Sequence, residues 1–115
     1  MSDNPVVRTT LGLHRLPEPL AVDTVEVRRI TIRADVHPGA HWHNGPVFGV
    51  IETGSVFFQV EGEDESVLHA GDTFYEPGNR TITRFDATGE GVTFLGWFPM
   101  SAGTEPELTM GELGA

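Results

Sequence analysis

His41-Trp42-His43 is where this chain sets two strong donor side chains at a spacing that chemistry can use. On an extended strand, residues two apart leave the same face, so both imidazoles can approach one ion or one substrate while Trp42 turns away. Imidazole ligates zinc, copper, iron and nickel, and its proton equilibrium lies nearest neutral pH. The pair therefore suits metal-assisted chemistry, acid–base chemistry or plain ligand binding. The surrounding stretch, from His37 through Pro38-Gly39 to Val47-Phe48, holds three of the five histidines.

The remaining sequence has to build a frame that aims this pair. Fourteen glycines and eight prolines in 115 residues imply many turns, hence many short strands. Val25, Val27, Ile30 and Ile32 predict a strand whose phase slips at Arg28-Arg29, as at a bulge. Val47 to Ile51 predicts a second strand, Thr53-Gly54 a hairpin turn, and Val56 to Val60 a third. Glu61-Gly62-Glu63-Asp64-Glu65 reads as a solvated hairpin tip. Short strands are expected again at Ser66–His69, Thr73–Glu76 and Arg80–Asp86, then a turn over Ala87–Gly91 and a last strand over Val92–Phe98. No window has helical period, and the pattern predicts an all-β sandwich or barrel. Residues 1–23 read as an N-terminal arm able to cover a sheet edge, 24–99 as the barrel, and 100–115 as a loosely ordered tail.

Composition removes several functions. Seven basic against 17 acidic residues give a net charge of −10, which disfavours nucleic acid and anionic membranes as partners. The chain has no cysteine, so disulfides, thiolate metal sites and cysteine nucleophiles are excluded. Neither a signal peptide nor an apolar run of membrane-spanning length is visible, and a cytoplasmic protein is expected.

The succession His41-Trp42-His43, Gly54, then Gly71-Asp72-Thr73-Phe74-Tyr75-Glu76-Pro77-Gly78 resembles a small single-domain cupin over residues 25 to 98. The resemblance implies a double-stranded β-helix of the jelly-roll kind, a homodimer, and a metal (Fe, Mn, Ni, Zn or Cu) held by two histidines, a glutamate and a third histidine. His41 and His43 match the first pair. The glutamate position falls at Val47, the third histidine at Ile82 and a following asparagine at Asp86. Two of the family's four ligands are thus aliphatic here, and neither Val nor Ile donates to a metal. A divalent metal at His41 and His43 and a metal-free pocket stand as equal alternatives.

Other candidates for the shell are weaker. His37 precedes a Pro-Gly break, His69 falls on the expected exterior, His14 lies in the arm, and Glu52 and Gln59 read as solvated strand residues. Tyr75 and Glu76 could act as acid or base near the mouth. Arg84 shares the parity of Ile82, a face that would turn it inward as a stabiliser of a substrate anion alongside His41 and His43; the opposite phase, with Thr81, Thr83 and Phe85 inside and the arginines in water, fits the apolar pattern equally. Val47, Phe48, Ile51, Phe58, Ile82, Phe94 and Trp97 are expected to wall the pocket. The function these features imply is a small-molecule enzyme acting on an apolar or polyketide-like metabolite by isomerase, cyclase or lyase chemistry. A non-catalytic ligand-binding or scaffold barrel is the alternative, and a metal-dependent dioxygenase a further one.

Overall fold

In the computed structural model, which describes residues 4–114, every regular element is a strand. Their order is β1 (Thr24–Ile32), β2 (His41–His43), β3 (Val47–Val60), β4 (Ser66–His69), β5 (Thr73–Glu76), β6 (Ile82–Met100) and β7 (Leu108–Met110). The frame is the antiparallel pair β3–β6, whose register runs from Phe48↔Trp97 to Val60↔Ile82. β5 continues the sheet beside the first part of β3 and β4 beside the second, while β1 lines the last part of β6. Each long strand therefore serves both walls of the barrel.

Two sequence expectations fail at the corner where these strands pass between walls. Thr53-Gly54 is not a hairpin turn, and Ala87–Gly91 does not interrupt a strand; β3 and β6 run through. Register shifts at Ile51/Thr53 and Gly54/Val56 bend the pair instead. Gly54, at a φ of +76°, and Gly91 meet there so closely that a Cβ on Gly54 would lie 1.9 Å from the Gly91 carbonyl oxygen. Glycine at that corner reads from sequence like a turn, although it serves a bend.

The phase slip in β1 has another cause than a bulge. β1 pairs with β6 in unbroken register from Thr24↔Met100 to Ile32↔Val92. Val25 and Val27 face outward, each 52% exposed, whereas Ile30 and Ile32 pack against the buried core. The strand simply carries apolar side chains on opposite faces in its two halves. The tail is also more ordered than expected: β7 pairs with β2, setting Met110 opposite His41 and Leu108 opposite His43.

Inward residues of β3, β5 and β6 make the core, among them Val47, Ile51, Val56, Phe74, Ile82, Phe85 and Phe94. The rings of Phe74, Phe85 and Phe94 meet at centroid distances of 4.8–5.7 Å. Gly49 leaves the space that the Phe74 ring fills, since a Cβ there would come within 2.1 Å of it. The arm passes outside β5, where His14 Nε2 and Thr73 Oγ1 lie 3.0 Å apart and the histidine ring approaches Phe48 and Tyr75.

Candidate metal centre

His41 and His43 do share a face, as their spacing predicts. Both are buried, at 6% and 7% exposure, and their rings stand nearly perpendicular at 5.0 Å. Trp42 turns to the other side and is half-buried. Opposite the pair, on β5, stands the buried carboxylate of Glu76. Its Oε2 lies 2.9 Å from His43 Nε2 and 3.6 Å from His41 Nε2. The three residues each offer one ligand atom, all within 4.8 Å of one another.

Glu76 reaches this place through strand pairing. β5 runs antiparallel to β3 with Glu76 as the Cα partner of Val47, the position where the cupin resemblance expects a glutamate. Directly paired residues project side by side from a sheet. The carboxylate missing from β3 is therefore supplied by the neighbouring strand. Alternation within Thr73-Phe74-Tyr75-Glu76 carries the signal for it: Phe74 and Glu76 are buried, Thr73 and Tyr75 half-buried. The Pro77–Asn79 turn then anchors the strand end, because Asn79 donates its N–H to the His43 carbonyl at 2.7 Å. Gly78 permits that approach; a Cβ on it would lie 2.6 Å from the Gly45 backbone.

The electrostatics follow from burial opposed by pairing. Burial alone would push Glu76 towards its neutral form, yet hydrogen bonds and attraction from His41 and His43 hold it below its ordinary range. Burial likewise opposes charge on His41, but the Glu76 carboxylate, the Gly39 backbone and Asp86 together raise it above its ordinary value of 6.5. Gly39 donates to Asp86 Oδ1 at 3.4 Å, and Asp86 accepts from Arg84 Nε at 2.8 Å. This chain of contacts steadies the backbone that orients His41, as the outer partners of ligand histidines do.

Arg84 itself lies outside the pocket, contrary to its expected parity with Ile82. The register passes from Gln59↔Arg84 to Val60↔Ile82, so Thr83 is an extra residue on β6. That bulge reverses the phase: Ile82 and Phe85 point inward, and Arg84 points out over the Phe57 ring, paired with Glu65 and Asp86. It holds no place from which to meet a substrate anion.

The cavity beside the triad measures about 130 Å³. Of the residues expected to wall it, Val47 and Phe94 do so. Ile51 and Ile82 lie in the core, with Phe58 packed against it. Phe48 and Trp97, Cα partners on the outer face, lie away from it; Phe48 stacks on Tyr75 at 5.1 Å. Ile30, Ile32, Pro38, Phe74, Phe85, Phe98 and the β7 residues Leu108 and Met110 complete the walls. The last two escaped sequence reasoning because a three-residue strand after a Gly- and Pro-containing segment has no periodicity to detect. Of the other candidate ligands, His37 packs on Phe57, His69 is exposed, Glu52 pairs with Arg29 and Gln59 bonds Thr83. His14 stays with the arm.

The barrel topology is shared with known structures. No protein-family model matches the sequence, and no curated protein matches it. Among solved structures, the DMSP lyase DddQ from Ruegeria pomeroyi superposes with a TM-score of 0.66 at 23% identity, over 82% of this chain and 48% of the lyase. A cupin protein from Bacteroides fragilis gives 0.56 at 24% identity, over 77% and 75% of the two chains. Salicylate 1,2-dioxygenase from Pseudoaminobacter salicylatoxidans gives 0.55 at 16% identity, over 70% and 25%. This chain spans about half the length of the lyase and a quarter of the dioxygenase. It has the cupin fold, the double-stranded β-helix its sequence resembles. Among the described residues, no helix is long and apolar enough to cross a membrane.

Proposed function

We propose that this chain is a metal-dependent enzyme for small apolar molecules, with a divalent cation (Fe, Mn, Ni, Zn or Cu) held by His41, His43 and Glu76. One observation carries the reading: a buried carboxylate faces two imidazole nitrogens in a cavity otherwise walled by hydrocarbon. Two histidines and a carboxylate fit such an ion, in zinc hydrolases and in non-haem iron oxygenases alike. When bound, the ion would supply a Lewis acid that polarises a carbonyl or enol oxygen.

The chain's own residues set the limits of that chemistry. With the triad engaged, no other lining side chain among the described residues can move a proton. Acid–base catalysis without metal is disfavoured, because both Nε2 atoms already face the same carboxylate oxygen. The walls would orient the substrate and exclude water, which favours isomerase, cyclase or lyase steps through an enolate-like anion. Dioxygenase chemistry is the second reading, favoured by the donor set itself. Metal content of the purified protein tests the reading: one divalent ion per chain is expected, lost in His41→Ala. A metal-free protein that also takes up none on titration would refute it.

The homodimer implied by the cupin resemblance is supported by Val25 and Val27, exposed on the outer face of β1 beside Trp97, and by the exposed arm residues Val6, Val7 and Leu11. Light scattering should give twice the mass of the chain, and a single-chain mass would refute it.

A further inference from the structure

Resting on the reading of His41, His43 and Glu76 as a metal site, we infer that the cavity takes a ligand of about one ring, bearing one acidic or chelating oxygen function and no second charge. Size comes first. The cavity of about 130 Å³ is close to the ~150 Å³ apolar void that holds a single benzene. Its depth is closed by the Phe74, Phe85 and Phe94 rings, and its rim by Leu108 and Met110, which are 55% and 54% exposed.

Charge narrows the class further. Apart from the triad, the lining residues offer no hydroxyl, amide or cationic group. With a divalent cation and neutral imidazoles, the Glu76 carboxylate leaves one positive charge, which one anionic oxygen neutralises. A second carboxylate held inside the cavity would sit against hydrocarbon without a partner, and burying such a charge is strongly unfavourable. On β1, the exposed Arg28 stacks its guanidinium on the cavity residue Phe98 at 4.8 Å and pairs with Glu26, and it does not line the cavity. Arg84 faces outward to Glu65 and Asp86. Phenols, enols of cyclic diketones and hydroxamates satisfy the site; dicarboxylates and ring acids with a further acidic oxygen do not.

The test has two arms. Zinc titration of the wild-type protein and Glu76→Gln examines the metal reading alone. On the zinc-loaded protein, calorimetry then compares benzohydroxamate with 4-carboxybenzohydroxamate. The uncharged-ring probe should bind at least about a hundredfold more tightly. Arg28→Met should change neither constant. Comparable affinities, failure of both probes on zinc-loaded protein, or a carboxylated probe whose binding depends on Arg28 would each overturn the inference. The metal-free protein gives an arm that survives failure of the metal reading: by fluorine NMR, 4-fluorophenol should bind and the doubly charged 5-fluoroisophthalate should not. Equal binding there overturns the selection against charge.

Discussion

Changing Glu76 to Gln keeps the shape of the cavity and removes its one carboxylate, so it isolates what the charge contributes. Four-ligand structural zinc sites are worth ~10–16 kcal/mol at pH 7, which is about 3–4 kcal/mol per ligand. Losing one ligand should therefore weaken zinc binding by ~10²–10³-fold, towards the lower figure if the amide oxygen retains contact. Competition with a chromophoric chelator measures this directly. The companion variant carries Val47→Glu together with Glu76→Val. Val47 and Glu76 are Cα partners on β3 and β5, so the exchange moves the carboxylate one strand across while it still faces His41 and His43. Affinity should return to within about tenfold of wild type, the low end of what an imperfectly oriented shell costs. If Glu76→Gln binds zinc as tightly as wild type, the carboxylate is not a ligand and the derivation from strand pairing is wrong.

Further outcomes follow from the same geometry. His41 is raised above 6.5, so its stabilisation of the metal-free fold is full below that value and lost as pH rises through the raised one. Glu76 is depressed below 4.5, so its stabilisation is full above that value and lost as pH falls through the depressed one. Melting of the metal-free protein should thus peak between the two, and zinc should release a proton near neutral pH, seen as a heat that varies with the ionisation enthalpy of the buffer. Ile82→His sets an imidazole on the Cα partner of His41 and should tighten zinc binding at a cost of about 1–3 kcal/mol in metal-free stability, read from urea melts. Arg84→Ala should leave zinc affinity within about threefold of wild type, since it acts only through Asp86 and Gly39. Removing residues 106–115 takes away Leu108 and Met110, and should raise the accessibility of His41 and His43 to diethyl pyrocarbonate while zinc binding persists.

Much of this architecture is legible in the sequence, and the parts that are not share a cause. Alternating apolar residues, glycine-rich turns and the His41/His43 spacing suffice for an all-β barrel with a histidine pair on one face. Linear patterns report which residues share a strand face, but not which strands lie side by side. The alternation within β5 marks Glu76 as inward, but that it faces His41 and His43 emerges only once β5 is laid against β3. Arg84 fails for a related reason: a single extra residue, Thr83, reverses the face of everything that follows, and nothing in Ile82-Thr83-Arg84-Phe85 marks it. Val25 and Val27 mislead because exposed apolar residues on an outer sheet face look like core residues out of phase.

The central claim is that one divalent ion is shared by two strands, through His41 and His43 on β2 and Glu76 on β5. Anomalous diffraction from crystals of the cobalt- or zinc-loaded protein tests it most directly. One strong peak is expected about 2.0–2.2 Å from His41 Nε2, His43 Nε2 and a Glu76 carboxylate oxygen. A peak elsewhere, or none while the Glu76 carboxylate still holds both imidazoles, would contradict it.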